Sequence, residues 1–362
     1  MNGSGPAAAS DVSESERELL RQSVRGLLAE HWPVDKAVKK AGDAAAIASL
    51  WRAMAAQGLA TLGTDDGGVG LREIVLVFEE LGRASCPAPL LGAVAANLTL
   101  SHDRTNAARA LLADMHNGDA VVAIALGAFD GDAAAGQVEL GRDTISGRMA
   151  FVEGVQAATH VLLCTQAPAG LAIVATGAPG LTIREMPGLA VPSFTELNLD
   201  NVPAITIGRS SEAIIDLATV ARLVCAARAV GAAQRAFDLA VDHAKVRKQF
   251  GQIIGSFQAV QHKLANCLIS LDGARMTIDA AATARDRGAP DWQVFAASAL
   301  AFAGPALRAV SIETHRALGA IGYAEEHEAP RHFRRVHADL ARFGGAPHAR
   351  AQLADFLLGP VQ

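Results

Sequence analysis

From Ser211 to Lys248 the chain contains no proline and a single glycine, Gly231. Leu217, Val220, Leu223, Ala227, Val230, Ala233, Phe237 and Val241 recur at three- to four-residue spacing. That period predicts one long amphipathic helix. So long a rod must bury its stripe against other helices, and its many alanines let a neighbouring backbone come close. The segments Ser256–Arg287, Asp291–Ala320 and His332–Gly345 repeat the helical texture, so residues 211–362 predict a helical bundle.

Two other textures precede it. Between about Ala120 and Gly208, short runs rich in Val, Ile, Leu and Thr are punctuated by Gly, Pro and Asp. This is strand-and-turn spacing, and residues 116–210 predict a β-domain, a barrel or a sandwich. Residues 13–115 predict helices. Leu19, Leu20, Val24, Leu27, Leu28 and Trp32 share one face, and Ser13 or Ser15 is placed to cap it. The stretch "GTDDGGVG" interrupts the helices as a loop, and Pro87 and Pro89 break the chain again. Residues 1–12 are small, polar and acidic and predict a disordered leader, without the basic start and apolar core of a signal peptide.

Composition narrows the function classes. The chain has 362 residues, is 51% hydrophobic and carries a net charge of -5. No basic stripe suggests nucleic-acid binding. No apolar run is expected to reach membrane-spanning length, since Arg, Asp or Gly interrupts each one. Cys86, Cys164, Cys225 and Cys267 lack metal-ligand spacing and are expected to be reduced and buried, as in a cytoplasmic protein. His327, His332 and His337 form no tidy ligand set and are expected at a surface or interface; no metal site is expected.

Residues 246–266 read "VRKQFGQIIGSFQAVQHKLAN", a polar, aromatic turn between two helices. Lys248 suits a helix C-terminus. Arg247 offers a forked donor for phosphate oxygens, Phe250 a flat face, Gln258 an amide for a base edge, and Gly251 room for close approach. The stretch resembles the Arg-x-x-Phe-Gly motif of acyl-CoA dehydrogenases. "GLATLGTDDGGVGLREIVLVFEELGRA", "SFTELNLDNVPA" and "RALGAIGYAEEHEAPRHFRRV" resemble further parts of that family in the same order. The resemblance implies an N-terminal helical domain, a central β-domain and a C-terminal helical bundle that forms an oligomer core. It implies FAD, an acyl-CoA substrate and an electron-transfer flavoprotein as acceptor. It assigns Arg247, Gln249, Phe250, Gln258, Gly319 and Gly322 to contacts with FAD held mainly by a neighbouring subunit.

The departures from the family are as informative. Its reaction needs a carboxylate to take the α-proton while the β-hydride goes to flavin. The usual Glu position falls at Phe343 or its neighbours, in "LARFGGAPHAR", and the alternative position falls near Ala221. Neither is acidic, and no catalytic residue is assigned to this chain. "FVE" at Phe151–Glu153 replaces the family's Trp-Ile-Ser/Thr, Ala320 replaces a glycine and Arg316 a glutamine. Glu325, Glu326 and Glu328 read as a solvated acidic helix start, and Asp272 as a partner of Arg275 three residues on. The pattern resembles the base-less subunit of α2β2 steroid acyl-CoA dehydrogenases, whose homologous partner carries the flavin ring and the Glu. Two alternatives stay open: a homotetramer with a displaced carboxylate such as Glu325 or Glu328, and a non-enzymatic scaffold.

Overall fold

The structure is a computed structural model that describes residues 12–64, 68–101, 103–127, 136–166, 169–208 and 211–359. The expected leader lies almost wholly outside these residues. Helices come first: α1 Glu14–His31, α2 Val34–Lys40, α3 Ala44–Ala56, α4 Leu71–Arg83, α5 Leu90–Leu100 and α6 Asn106–His116. Eight strands follow: β1 Val122–Ala125, β2 Gly136–Leu140, β3 Thr144–Val152, β4 His160–Gln166, β5 Ala169–Ala175, β6 Leu181–Met186, β7 Phe194–Pro203 and β8 Ile205–Gly208. The chain then forms α7 Ser211–Val246, a hairpin of β9 Lys248–Gln249 and β10 Gln252–Ile253, α8 Gln258–Asp286, α9 Trp292–Leu318, α10 Ala329–Ala341 and α11 Gly345–Leu358.

The chain separates into two compact units, and the division falls within α4 and within α7. The first comprises, among the described residues, Val12, Ala41–Ile74 and Pro87–Arg222. Its strands form two four-stranded sheets, in the orders β1-β4-β5-β8 and β2-β3-β7-β6. Pairing is antiparallel except between β1 and β4, which run parallel. Val161, Leu163 and Val174 of one sheet share a buried cluster with Ile145, Met149, Leu197 and Val202 of the other, so the β-region is a sandwich. Trp51 of α3 donates its indole N–H to the Ala120 carbonyl at 2.9 Å, pinning a helix to the start of the sheet. Asn97 of α5, fully buried, donates to the carbonyls of Ala60 and Leu62 and satisfies both.

The second unit comprises Ser13–Lys40, Val75–Cys86 and Leu223–Gln362. Ser13 closes a capping box on α1: its hydroxyl accepts from the Glu16 amide and the Glu16 carboxylate accepts from the Ser13 amide. Charges tie the helices together where the contact is too polar for a plain apolar core. Glu80 of α4 accepts both arms of Arg25 and one of Arg21 from α1. Glu79 accepts from Arg275 of α8 at 2.9 Å, and Arg275 also holds Asp272, as expected, at 3.0 Å. Arg228 of α7 makes a bidentate pair with Asp339 of α10, at 2.8 and 2.6 Å, with both side chains sealed from solvent.

Two expectations are corrected here. Residues 217–233 of α7 are buried on every face, so the helix is not a one-sided amphipath. Its alanines let other helices surround it, and a stripe of large residues was not needed. Trp292–Tyr323 is long and apolar enough, by length and composition, to cross a membrane, and an 18-residue window within it has a mean hydropathy of 1.5. The charges expected to interrupt such a run are sparse there. The helix carries Pro305 and buries twelve residues, Trp292 and His315 among them.

Candidate functional site

Arg247 follows the last turn of α7, its amide donating to His243. The chain then turns back on itself. Lys248 pairs with Ile253 and Gln249 with Gln252, leaving Phe250 and Gly251 as a two-residue tip. Both have positive φ, +51° and +80°. Left-handed geometry at both centres marks the hairpin turn whose twist matches its strands. Asn-Gly is the usual choice there. A phenylalanine in that region is strained and must be held by something other than local preference.

Phe250 is 93% exposed, touching the edge of Phe257 at a centroid distance of 6.2 Å. The Ile254 amide donates to the Arg247 carbonyl at 2.8 Å and closes the loop. Arg247 is exposed, and among the described residues its guanidinium has no hydrogen bond or ion pair. Gln249 donates to the Lys248 carbonyl. Gln258 is exposed at the first residue of α8. These four side chains therefore occupy one hairpin and the helix it feeds.

Gly319 and Gly322 stand on a separate turn, Gly319–Tyr323, after α9. Gly319 has φ +62° and ψ -136°, a conformation open to glycine. Leu318, Ala240 and Ala329 form a small apolar cluster with Leu239 and Leu264, which joins the ends of α7, α9 and α10 near the start of α8.

Phe343 adopts φ +54° between α10 and α11, with the Arg342 guanidinium 4.5 Å over its ring. Arg342 is buried and its guanidinium lies 3.8 Å from the Cys225 sulfur. Ala221 is buried within α7. In the first unit, Phe151 has φ +59° and meets Phe194 edge-on.

One member of the acidic cluster departs from expectation. Glu328 is not a solvated carboxylate: its side chain is 12% exposed and takes a bidentate pair from Arg235 of α7, at 3.1 and 2.6 Å. His332, fully buried rather than at a surface, reaches the same carboxylate at 3.2 Å. Burial pushes the Glu328 carboxyl up, but the hydrogen bonds and charges of His332 and Arg235 outweigh it and hold it at about 2. Burial pushes His332 down, so at neutral pH the Arg235 fork carries most of the pairing. Glu325 and Glu326 are exposed, as expected, and Glu325 pairs with Arg334 and Arg331. His337 meets Ser311 and stacks on Phe333, which also faces His315. Among the described residues no group of His, Cys, Asp and Glu could hold a metal. The sequence signal for these pairs was present: Arg228 and Arg235 lie seven residues apart, two turns along one face of α7, though their partners are remote in sequence.

Comparison with known proteins decides the family. The family model "Acyl-CoA dehydrogenase, C-terminal domain" matches residues 212–357, and "Acyl-CoA dehydrogenase, N-terminal domain" matches residues 14–110. Acyl-CoA dehydrogenase IpdE2 of Mycobacterium tuberculosis is 32% identical over 329 residues, 89% of this chain and 91% of its own length. The chain belongs to the acyl-CoA dehydrogenase family. The acyl-CoA dehydrogenase FadE34 of the same organism is 31% identical over 83% of this chain but only 41% of its own length. Among solved structures, the Tcur3481-Tcur3483 steroid ACAD G363A variant superposes with a TM-score of 0.84 and 28% identity, covering 95% of this chain and 98% of that one. The ChsE4-ChsE5 complex from Mycobacterium tuberculosis shares the fold, with a TM-score of 0.82 at 22% identity over 97% and 99% of the two chains. The expected helical, β and helical order is therefore the acyl-CoA dehydrogenase fold.

Proposed function

We propose that this chain is the base-less subunit of a heteromeric, FAD-dependent acyl-CoA dehydrogenase that introduces a double bond between the α and β carbons of an acyl-CoA thioester. FAD, when bound, supplies the acceptor for the β-hydride. A homologous partner chain carries the flavin ring and the glutamate that takes the α-proton. This chain completes the partner's cofactor site. Arg247 meets phosphate oxygens, Phe250 covers an aromatic face, and Gln249 and Gln258 fix polar edges. The turn at Gly319 and Gly322 lets backbone approach the same group.

The observation that carries this reading is Phe250, strained at the tip of a hairpin and 93% exposed beside an unpaired guanidinium. An exposed aromatic in left-handed geometry costs stability in the isolated chain and is repaid only by a surface that covers it. Three further observations support it. Phe343 under a buried guanidinium occupies the usual base position. Glu328 is consumed by Arg235 and held far too acidic to take an α-proton. Glu325 is tied to two arginines.

A bulky, steroid-like acyl group is the substrate this reading favours, because a structural relative at 28% identity is a steroid ACAD named for two components. A chain that keeps no flavin pocket of its own leaves space for such a group. The acceptor is an electron-transfer flavoprotein, and the complex is an α2β2 assembly in the cytoplasm. The test is flavin stoichiometry. The chain purified alone should be colourless, and coexpression with a homologous partner should yield about one FAD per two chains. One FAD per chain, or turnover by this chain alone, would overturn the proposal.

A further inference from the structure

Within the second unit, α1, α2, the end of α4, α7 and α10 border an open cleft of about 200 Å³. Its floor is apolar, formed by Leu28, Val34, Ala37 and Val38. An engineered apolar cavity of about 150 Å³ admits benzene, so this cleft has room for a molecule of roughly that size with one polar group.

Its polar wall is unbalanced. Arg25, Arg83, Arg235 and Arg331 line it beside two carboxylates, Glu80 and Glu328, and Arg83 is also held by Asp238 of α7 at 2.7 Å. Both acceptors are already occupied: Glu80 by Arg25 and Arg21, Glu328 by Arg235 and His332. Arg331 reaches an acid only weakly, Glu325 at 3.7 Å, and its buried Nε has no partner among the described residues. The indole N–H of Trp32, a residue of the same wall, is buried and likewise without a partner. His332 Nδ1 has none either, and a proton taken up there would add a third donor. Buried donors without acceptors are costly, and a ligand that brings acceptors removes the cost.

We infer that this cleft is a binding site for a small amphipathic carboxylate, its anion facing Arg331 and Trp32 and its hydrocarbon body on the Leu28–Val38 floor. The volume of the cleft matches a short or single-ring acid. Nothing in the proposed dehydrogenase reading requires this site.

The test uses the full chain with benzoate as probe and benzamide as the uncharged isostere. The chain has three tryptophans, so its 15N-labelled indoles give three resonances, and Trp32→Phe identifies the relevant one. Benzoate should move that resonance saturably, with at least about tenfold weaker binding for benzamide. Arg331→Gln should weaken benzoate by about tenfold. Val38→Phe, which fills the cleft, should abolish binding while leaving the thermal midpoint within about 2 °C. The inference is wrong if benzoate leaves the Trp32 resonance unmoved, or if it binds equally well to the Val38→Phe chain.

Discussion

Gly82 of α4 and Gly231 of α7 form a reciprocal crossing. A Cβ added at Gly82 would overlap the carbonyl of Arg228, and one added at Gly231 would overlap the carbonyl of Glu79. The two backbones are therefore in direct contact, and α7 can be surrounded closely because neither helix carries a side chain there. Gly82→Ala or Gly231→Ala should destabilise the chain by about 3 kcal/mol or more, since the overlap is with backbone that cannot rotate away. Chemical denaturation of each variant checks this, and a loss under about 1 kcal/mol would contradict the crossing.

Arg228 and Asp339 are sealed together beneath that crossing. Asp339→Asn removes one charge and leaves the guanidinium buried without its counter-ion. The expected loss is about 3–5 kcal/mol. Replacing the pair together, Arg228→Met with Asp339→Leu, should recover only part of it, because the buried Arg335 also lies 3.6 Å from Asp339, and a double-mutant cycle measures the coupling.

Glu328 contributes a pH-dependent term. Its folded carboxyl is held at about 2, below the ordinary glutamate value. The stabilisation is thus complete above the unfolded value near 4.3 and is lost as pH falls from there toward 2. Glu328→Gln should cost about 3 kcal/mol at pH 7 and nearly nothing near pH 2. Denaturation curves of both chains across that range would show the two converging in acid.

Phe250 is predicted to matter to an assembly and not to the chain. Phe250→Ala removes an exposed ring, so the isolated chain should keep its thermal midpoint or gain slightly. The coexpressed complex should lose flavin, with an affinity drop of about tenfold or more. A matched loss of stability in the isolated chain would assign the ring a structural role instead.

The helix, sandwich and bundle order was legible in the sequence because it rests on local periodicity. Ser13 as a cap, the strand spacing of residues 122–208 and the long α7 each declare themselves within a few turns of chain. The Arg247–Phe250 turn was legible as a turn for the same reason, though its hairpin geometry was not. Glu325 and Glu326 are exposed as expected, but Glu328 was misread: it looks like any first-turn carboxylate until Arg235, distant in sequence, is seen against it.

What the sequence determined by itself was therefore the kind of each element and the family it belongs to, since both are carried by neighbouring residues and ordered motifs. What only the tertiary structure decided was which charges are spent. Glu79, Glu80 and Arg83 share one short helix, yet each is matched to a different partner helix. Pairing across helices depends on where backbones cross, and that crossing is set by Gly82 and Gly231 meeting in space, a relation that no local pattern encodes.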